Sequence, residues 1–229
     1  MKQNLKSKKK RTLSQRLWLT RQINDPYVDA AKRQGYRSRA AFKLEQLDDK
    51  FHFLKKGGRV ADLGAAPGGW TQVAVKRVKV GQPGGGSVAG LDILPMDPIP
   101  DAVLLLGDFL AEGSEERLKE AMGGPCDVVM SDMASPTTGH APTDHLRIMH
   151  LAETALEFAI GVLAPGGSFV AKLFQGGAEK ELLDRLKQNF ETVRHAKPAA
   201  SRQDSKESYV VAMGFRADRL GSKPFNGFD

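Results

Sequence analysis

Apolar residues recur along this chain in two alternating rhythms. Ala40, Leu44, Leu47 and Phe51 fall on one helical stripe with Ser38 placed as an N-cap, so a helix is predicted over 39–51. Gly57-Gly58 closes that region. Beyond it, short apolar runs and helical patterns take turns. Strands are predicted at 59–63, 87–92, 103–106, 127–131, 168–174, 192–196 and 209–215, and helices at 70–79, within 117–122, at 143–163 and at 179–189. Pro165-Gly166 stops the longest helix. Before Ser38 the signal fades: 18–35 is mixed, and 1–15 is polar and expected to be mobile. Strands alternating with helices imply an α/β fold, a mainly parallel seven-stranded sheet with helices on both faces. Ligands of such sheets sit beyond the carboxyl ends of the strands, near the point where strand order reverses.

Composition adds a class and a compartment. Hydrophobic residues make up 41% and charged residues 27%, enough for a sizeable core in a globular chain. Cys126 stands alone, so no internal disulfide and no Cys-x-x-Cys zinc site is expected. No apolar run reaches the roughly 18 residues of a membrane span. The basic N-terminus lacks a following apolar segment, so a cytoplasmic protein without a secretory signal is expected. The net charge of +7 is unevenly placed: 13 Lys and Arg precede Leu44, against only Asp25 and Asp29. A basic segment ahead of a slightly acidic body fits a polyanion partner such as RNA, although a solvated tail has the same composition. His52, His140, His145, His150 and His195 show no metal-binding spacing, and no metal is expected.

The most informative segment runs Asp62-Leu-Gly-Ala-Ala-Pro-Gly-Gly-Trp70. A strand leads into it, Gly64, Gly68 and Gly69 permit a tight turn, and a helix opens near Trp70. This is a nucleotide-type loop without the Gly-x-Gly-x-x-Gly that a pyrophosphate requires. An acid at the strand end favours a cationic ligand, and S-adenosylmethionine carries an ammonium and a sulfonium with no phosphate. Asp92, Asp108 and Asp132 end the next three strands on the same edge of the sheet. Asp92 is spaced to accept from ribose hydroxyls. Asp108, with Phe109 beside it, suits an adenine.

Lys172 emerges from an apolar strand, where a cation is costly without partners. Lys43 interrupts the apolar stripe of its helix in the same way. Together with Asp132 and Glu207 they form a candidate charge network, in which Lys172 is either a neutral base or a cation stabilising developing negative charge.

Several stretches together resemble the FtsJ/RrmJ-type ribosomal RNA 2′-O-ribose methyltransferases over nearly the whole chain. They are Ser38-Arg-Ala-Ala-Phe-Lys43-Leu, Asp62 through Trp70, Leu91-Asp-Ile-Leu-Pro-Met-Asp97, Ser131-Asp-Met-Ala-Ser-Pro136, Val170-Ala-Lys172-Leu-Phe-Gln-Gly176, Lys197-Pro198, and Ser201-Arg202 through Tyr209. The resemblance implies a Rossmann-like S-adenosylmethionine-dependent methyltransferase fold. It implies a catalytic tetrad of Lys43, Asp132, Lys172 and Glu207, and cofactor contacts at Gly68, Trp70, Asp92, Asp108 and Asp132. It also implies a single-domain enzyme that methylates a uridine of the 23S rRNA A-loop in the assembled large ribosomal subunit. A monomer is expected, and Ser201, Arg202 and Lys206 are placed to add RNA contacts beside Glu207. The expected layout is a basic, partly flexible RNA-binding segment at 1–35, a methyltransferase domain at 36–216 and a tail at 217–229. Alternatives are a tRNA or mRNA-cap 2′-O-methyltransferase, a non-catalytic RNA-binding ribosome-assembly factor, and a nicotinamide-dependent oxidoreductase. The last is disfavoured by Asp62 and the missing dinucleotide fingerprint.

Overall fold

A computed structural model describes residues 12, 16, 19–20, 22–136, 138–174 and 180–217. Most of the basic N-terminal run, Gln175-Gly176, the start of the helix expected at Glu179 and nearly all of the expected tail lie outside these residues.

The first helix with fully described bounds, α1 (Pro26–Gln34), has no counterpart in the apolar pattern. It buries only Ala31, so it shows no apolar period. Its ends are well marked: the Asp25 carboxylate accepts from the Tyr27 amide at 3.1 Å, Pro26 opens the first turn, and Gly35 closes the last at φ 73°. Helix α2 (Ala40–Phe51) follows. Ser38 does not cap it; Arg39 takes the cap position without a side-chain bond. The Ser38 hydroxyl is instead buried against Gly69, with no hydrogen-bond partner among the described residues.

Then come β1 (Arg59–Leu63), α3 (Gly69–Val78), β2 (Ser87–Asp92), β3 (Ala102–Leu106), α4 (Ser114–Met122), β4 (Cys126–Ser131), α5 (Ala141–Val162), β5 (Leu163–Phe174), α6 (Lys180–Asn189), β6 (Phe190–Ala196) and β7 (Glu207–Phe215). The seven strands lie in the order β3-β2-β1-β4-β5-β7-β6. β7 is antiparallel to both its neighbours, and every other pairing is parallel. The sheet is therefore mainly parallel, as expected, and its order reverses between β1 and β4. Strand β5 begins at Leu163 rather than Ser168. Leu163 pairs with Cys126 and Ser168 with Val128, so residues 164–167 bulge out of the ladder, where Pro165 offers no amide proton.

Period-two alternation splits the core into two layers. Val60, Val128, Met130, Val170 and Val211 face α2 and α3. Ala61, Leu63, Val129, Phe169, Ala171 and Val210 face α4, α5 and α6. Lys172 sits two residues after Val170, so it points to the α2 side, under the helix that carries Lys43.

Gly64 joins the central strand to the turn that follows. It has φ +75°, and a Cβ there would come within 2.7–2.9 Å of Met133 side-chain and backbone atoms. Gly64→Ala is expected to destabilise the fold by about 2–3 kcal/mol, the upper range for a strained backbone position. The measurement is the urea midpoint at unchanged m-value; a loss under about 0.5 kcal/mol would contradict this contact.

Candidate functional site

The carboxyl edge around the β1/β4 reversal carries a cavity of about 200 Å³. Gly64, Asp92, Asp108, Phe109 and Met133 are among its walls. The Asp92 carboxylate accepts from the Ala66 amide and from the Leu94 amide, each at 2.8 Å, so it fixes both the turn after β1 and its own loop. Asp108 accepts from the Leu110 amide at 3.0 Å and, through its carbonyl, from the Ser114 hydroxyl at 2.6 Å. Ile93 and Leu110, both well exposed, stand at the rim as apolar surface for a flat ring.

Gly68 and Trp70 do not line this cavity. Gly68 is the N-cap of α3 at φ 109°, where a Cβ would strike Ile99. The Trp70 indole is buried; its Nε1 donates to the Ala40 carbonyl at 2.9 Å and its ring lies 5.6 Å from that of Tyr209. Both residues shape the start of α3, which has no side-chain cap.

Asp62 is fully buried. One carboxylate oxygen accepts from the Thr71 hydroxyl at 2.6 Å, and the other has no partner among the described residues. Burial pushes its pKa up to about 7; Thr71 pulls down, while Asp132 and Asp92 push further up. A buried, unpartnered carboxylate oxygen two residues before a cavity wall is a ready acceptor for a cationic group.

Beside this edge the four charged residues singled out by the sequence converge. Strand register pairs Lys172 with Tyr209 and Phe174 with Glu207, which puts all four side chains on one face. Helix α2 lays Lys43 over it. Lys172 Nζ donates to Asp132 Oδ1 at 2.9 Å and to the Asp132 carbonyl at 2.6 Å. Lys43 Nζ meets both oxygens of Glu207 at 2.8 Å. Tyr209 joins the two pairs: its hydroxyl accepts from Lys43 at 3.1 Å and donates to Asp132 Oδ1 at 3.0 Å. Ser201 Oγ closes the chain on Glu207 Oε1 at 2.8 Å. Burial would raise the Asp132 carboxyl, but the Lys172 and Lys43 cations and the bonds from Lys172 and Tyr209 outweigh it and hold its pKa below the ordinary value. Burial and the same two acids drive the Tyr209 phenol well above the usual range, so it stays protonated.

Tyr209 carried no warning in the sequence, since an aromatic in an apolar strand reads as core. A second junction was equally silent. Arg39 pairs with Asp25 and donates to the Ala200 carbonyl, and Arg202 reaches the same Asp25 at 3.5 Å. This pins α1, α2 and the segment holding Ser201 to one another. Arg37 donates to the carbonyls of Asp97 at 2.6 Å and Pro98 at 2.7 Å, tying the approach to α2 to the loop after β2. Arg202 thus serves an internal contact, and Lys206 lines a separate recess beyond β5. Cys126 is buried at the amino end of β4; burial pushes its thiol up to about 12, which leaves it un-ionised. Among the described residues no His, Cys, Asp or Glu cluster could hold a metal ion, and no helix is long and apolar enough to cross a membrane.

Residues 36–215 match the FtsJ-like methyltransferase family profile. The chain is 68% identical to "Ribosomal RNA large subunit methyltransferase E" of Paramagnetospirillum magneticum, covering 93% of this chain and 87% of that protein. It is 61% identical to the protein of the same description from Granulibacter bethesdensis, over 94% and 91%. A Plasmodium falciparum structure described as a ribosomal RNA methyltransferase superposes with a TM-score of 0.69 at 33% identity, covering 79% of this chain and 98% of that one. The MycE methyltransferase of mycinamycin biosynthesis, at 15% identity and a TM-score of 0.52, shares the fold over 94% of this chain and 56% of its own.

Proposed function

The chain belongs to the FtsJ-like methyltransferase family, and on that premise we propose that it methylates large-subunit ribosomal RNA, transferring a methyl group from S-adenosylmethionine to a ribose 2′-hydroxyl. The target is a uridine of the 23S rRNA A-loop, met within the large subunit. The observation that carries this reading is the Lys172–Asp132 pair, locked into one network with Tyr209, Lys43 and Glu207 at the edge that also holds the cavity.

The residues present fit the methyl donor. Asp92 suits its ribose hydroxyls, and Asp108 with the Ile93 and Leu110 rim suits its adenine. The unpartnered oxygen of Asp62 suits its cationic end. Gly68 and Trp70 contribute through the backbone at the start of α3. When bound, the donor supplies an electrophilic methyl on a sulfonium, a group that needs alignment more than activation.

The protein's task is then to hold the alcohol oxygen in line and to handle its proton. Lys172 Nζ directs two of its protons to Asp132, which leaves its third for the 2′-oxygen. Bound in its cavity, the donor would give its methyl to the 2′-oxygen and keep the C–S electron pair, and the hydroxyl proton would pass to the Asp132 carboxylate held beside Lys172. Lys43 and Glu207 hold Tyr209, and Tyr209 holds Asp132, so the second ion pair sets the position of the first. The basic N-terminal segment adds phosphate contacts that strengthen binding without choosing sequence.

Mass mapping of ribose methylation in 23S rRNA from cells with and without the gene tests the assignment. Loss of a single 2′-O-methyl uridine in the A-loop is expected. An unchanged A-loop, or a lost mark on tRNA, would refute it. Within the network, Tyr209→Phe removes the bridging hydroxyl but leaves both ion pairs. It is expected to slow single-turnover methylation about tenfold, the cost of roughly one neutral-to-charged hydrogen bond. A drop beyond a hundredfold would mean that the phenol touches the reacting atoms.

A further inference from the structure

Beyond the end of β5 lies a recess of about 550 Å³ that neither the donor cavity nor the charge network uses. Pro142, His145 and Leu146 from the first turns of α5 wall it on one side, with Phe174 and Lys206 on the other. Its place is set by strand geometry. Phe174 follows Lys172 by two residues, so it shares the same face of β5 and lies roughly 7 Å further along. A ribose held with its 2′-oxygen at Lys172 would project its base along β5 toward this recess.

The chemistry of the walls suits a base. The Phe174 ring is half-buried, leaving one part available for stacking. Both ring nitrogens of His145 are buried, and neither has a hydrogen-bond partner among the described residues. Unpartnered buried nitrogens call for an explanation. The ring carries a nitrogen at each edge, and a turn of the side chain would bring one of them to a base edge in the recess that His145 lines. Lys206 is exposed and has no ion pair among the described residues, so it is placed for a flanking phosphate. Asp144, the acid of the recess, is engaged with its own chain: it accepts from the Thr138 amide and hydroxyl, each at 2.7 Å, and from the Gly139 amide at 3.3 Å. Its carboxylate keeps its negative charge, and among the described residues it forms no ion pair with Lys206.

The geometry points to this recess as the receptor for the unstacked base of the target nucleotide. Phe174 stacks on the base, His145 bonds to its edge and Lys206 meets the neighbouring phosphate. The assignment rests on Lys172 acting at the 2′-hydroxyl. It makes base identity part of recognition, in a family of substrates otherwise selected by RNA shape.

The test uses large subunits carrying U, C, A or G at the target position. Single-turnover rates are measured for the wild-type protein, His145→Leu, Phe174→Ala and Lys206→Ala. The wild type is expected to lose at least about tenfold when the pyrimidine is replaced by a purine. His145→Leu and Phe174→Ala are expected to lose about 10- to 100-fold on the U subunit, the range that base stacking supplies. They should also flatten the pyrimidine-to-purine ratio to within about threefold, with donor affinity unchanged. Lys206→Ala should raise KM and lower its salt dependence while keeping the ratio. A general structural defect would slow all four subunits alike and leave the ratio intact; that result overturns the proposal, as does a wild type indifferent to the base. If the wild type methylates no ribose in any subunit, the methyltransferase assignment itself fails and the recess loses its role with it.

Discussion

Lys172→Ala is expected to lower the single-turnover rate of ribose methylation by about 10²- to 10³-fold, the cost of removing a preorganised donor aimed at the reacting oxygen. Lys172 is the one cation of the network that contacts Asp132 directly, through both its carboxylate and its carbonyl. Removing it takes away the donor to the 2′-oxygen and leaves a buried acid without its nearest counter-charge. Affinity for S-adenosylmethionine should change less than about threefold, because the cavity walls do not include this side chain. Lys172→Arg should fail to rescue, since a planar guanidinium cannot place one nitrogen on both Asp132 acceptors in the same geometry. Rates are measured with saturating donor and purified large subunits, and donor affinity by calorimetry on the same preparations. A variant within tenfold of the wild type would remove Lys172 from the chemistry. Equal losses in rate and donor affinity would mean that the site had come apart.

Lys172 and Lys43 were legible because each breaks an apolar period, and a cation in a buried stripe must have a partner. The acids Asp92, Asp108 and Asp132 were legible as strand endings. Glu207 looked like a loop residue yet opens β7, because its pairing with Phe174 extends the ladder past the last apolar position. Tyr209 stayed hidden because its ring obeys the core pattern while only its hydroxyl, a single atom, joins the charges. The polar partners of α1 were hidden for the opposite reason. That helix is fixed by Asp25, Arg39 and ring contacts of Tyr27 and Tyr36 with Phe42, none of which leaves a periodic trace. His145 is unpartnered only in three dimensions; in the chain it is one more polar residue on a long helix. Periodicity thus reveals what the sheet and its helices bury, and conflicts with periodicity reveal charge. Contacts that agree with the pattern, or that lie outside it, need coordinates.

Asp62→Asn is expected to stabilise the free protein at pH 8 by about 3–4 kcal/mol and at the same time to weaken S-adenosylmethionine binding by at least tenfold. The first effect follows from linkage. The folded-state pKa of Asp62, about 7, lies above its ordinary value of 3.8 because burial disfavours the charged form. The folded protein therefore holds this proton more tightly than the unfolded chain. The stability that this confers is fully present below about pH 4 and is lost as the pH rises through 7, at ~1.4 kcal/mol for each tenfold difference in proton affinity. An asparagine remains neutral throughout and can still accept from Thr71, so the variant should match the wild type near pH 4 and exceed it progressively up to pH 8. Taking the difference between the two proteins cancels every other titrating group that the substitution leaves alone. The second effect follows from the unpartnered oxygen: a carboxylate attracts a cationic ligand where an amide does not. Denaturant titrations from pH 4 to 8, with and without S-adenosylmethionine, read both at once. Ligand should stabilise the wild type more than the variant, narrowing or reversing the gap at pH 8. A variant less stable than the wild type at pH 8 would show that Asp62 is ionised and satisfied in the free protein. Unchanged donor affinity would remove it from the cofactor site.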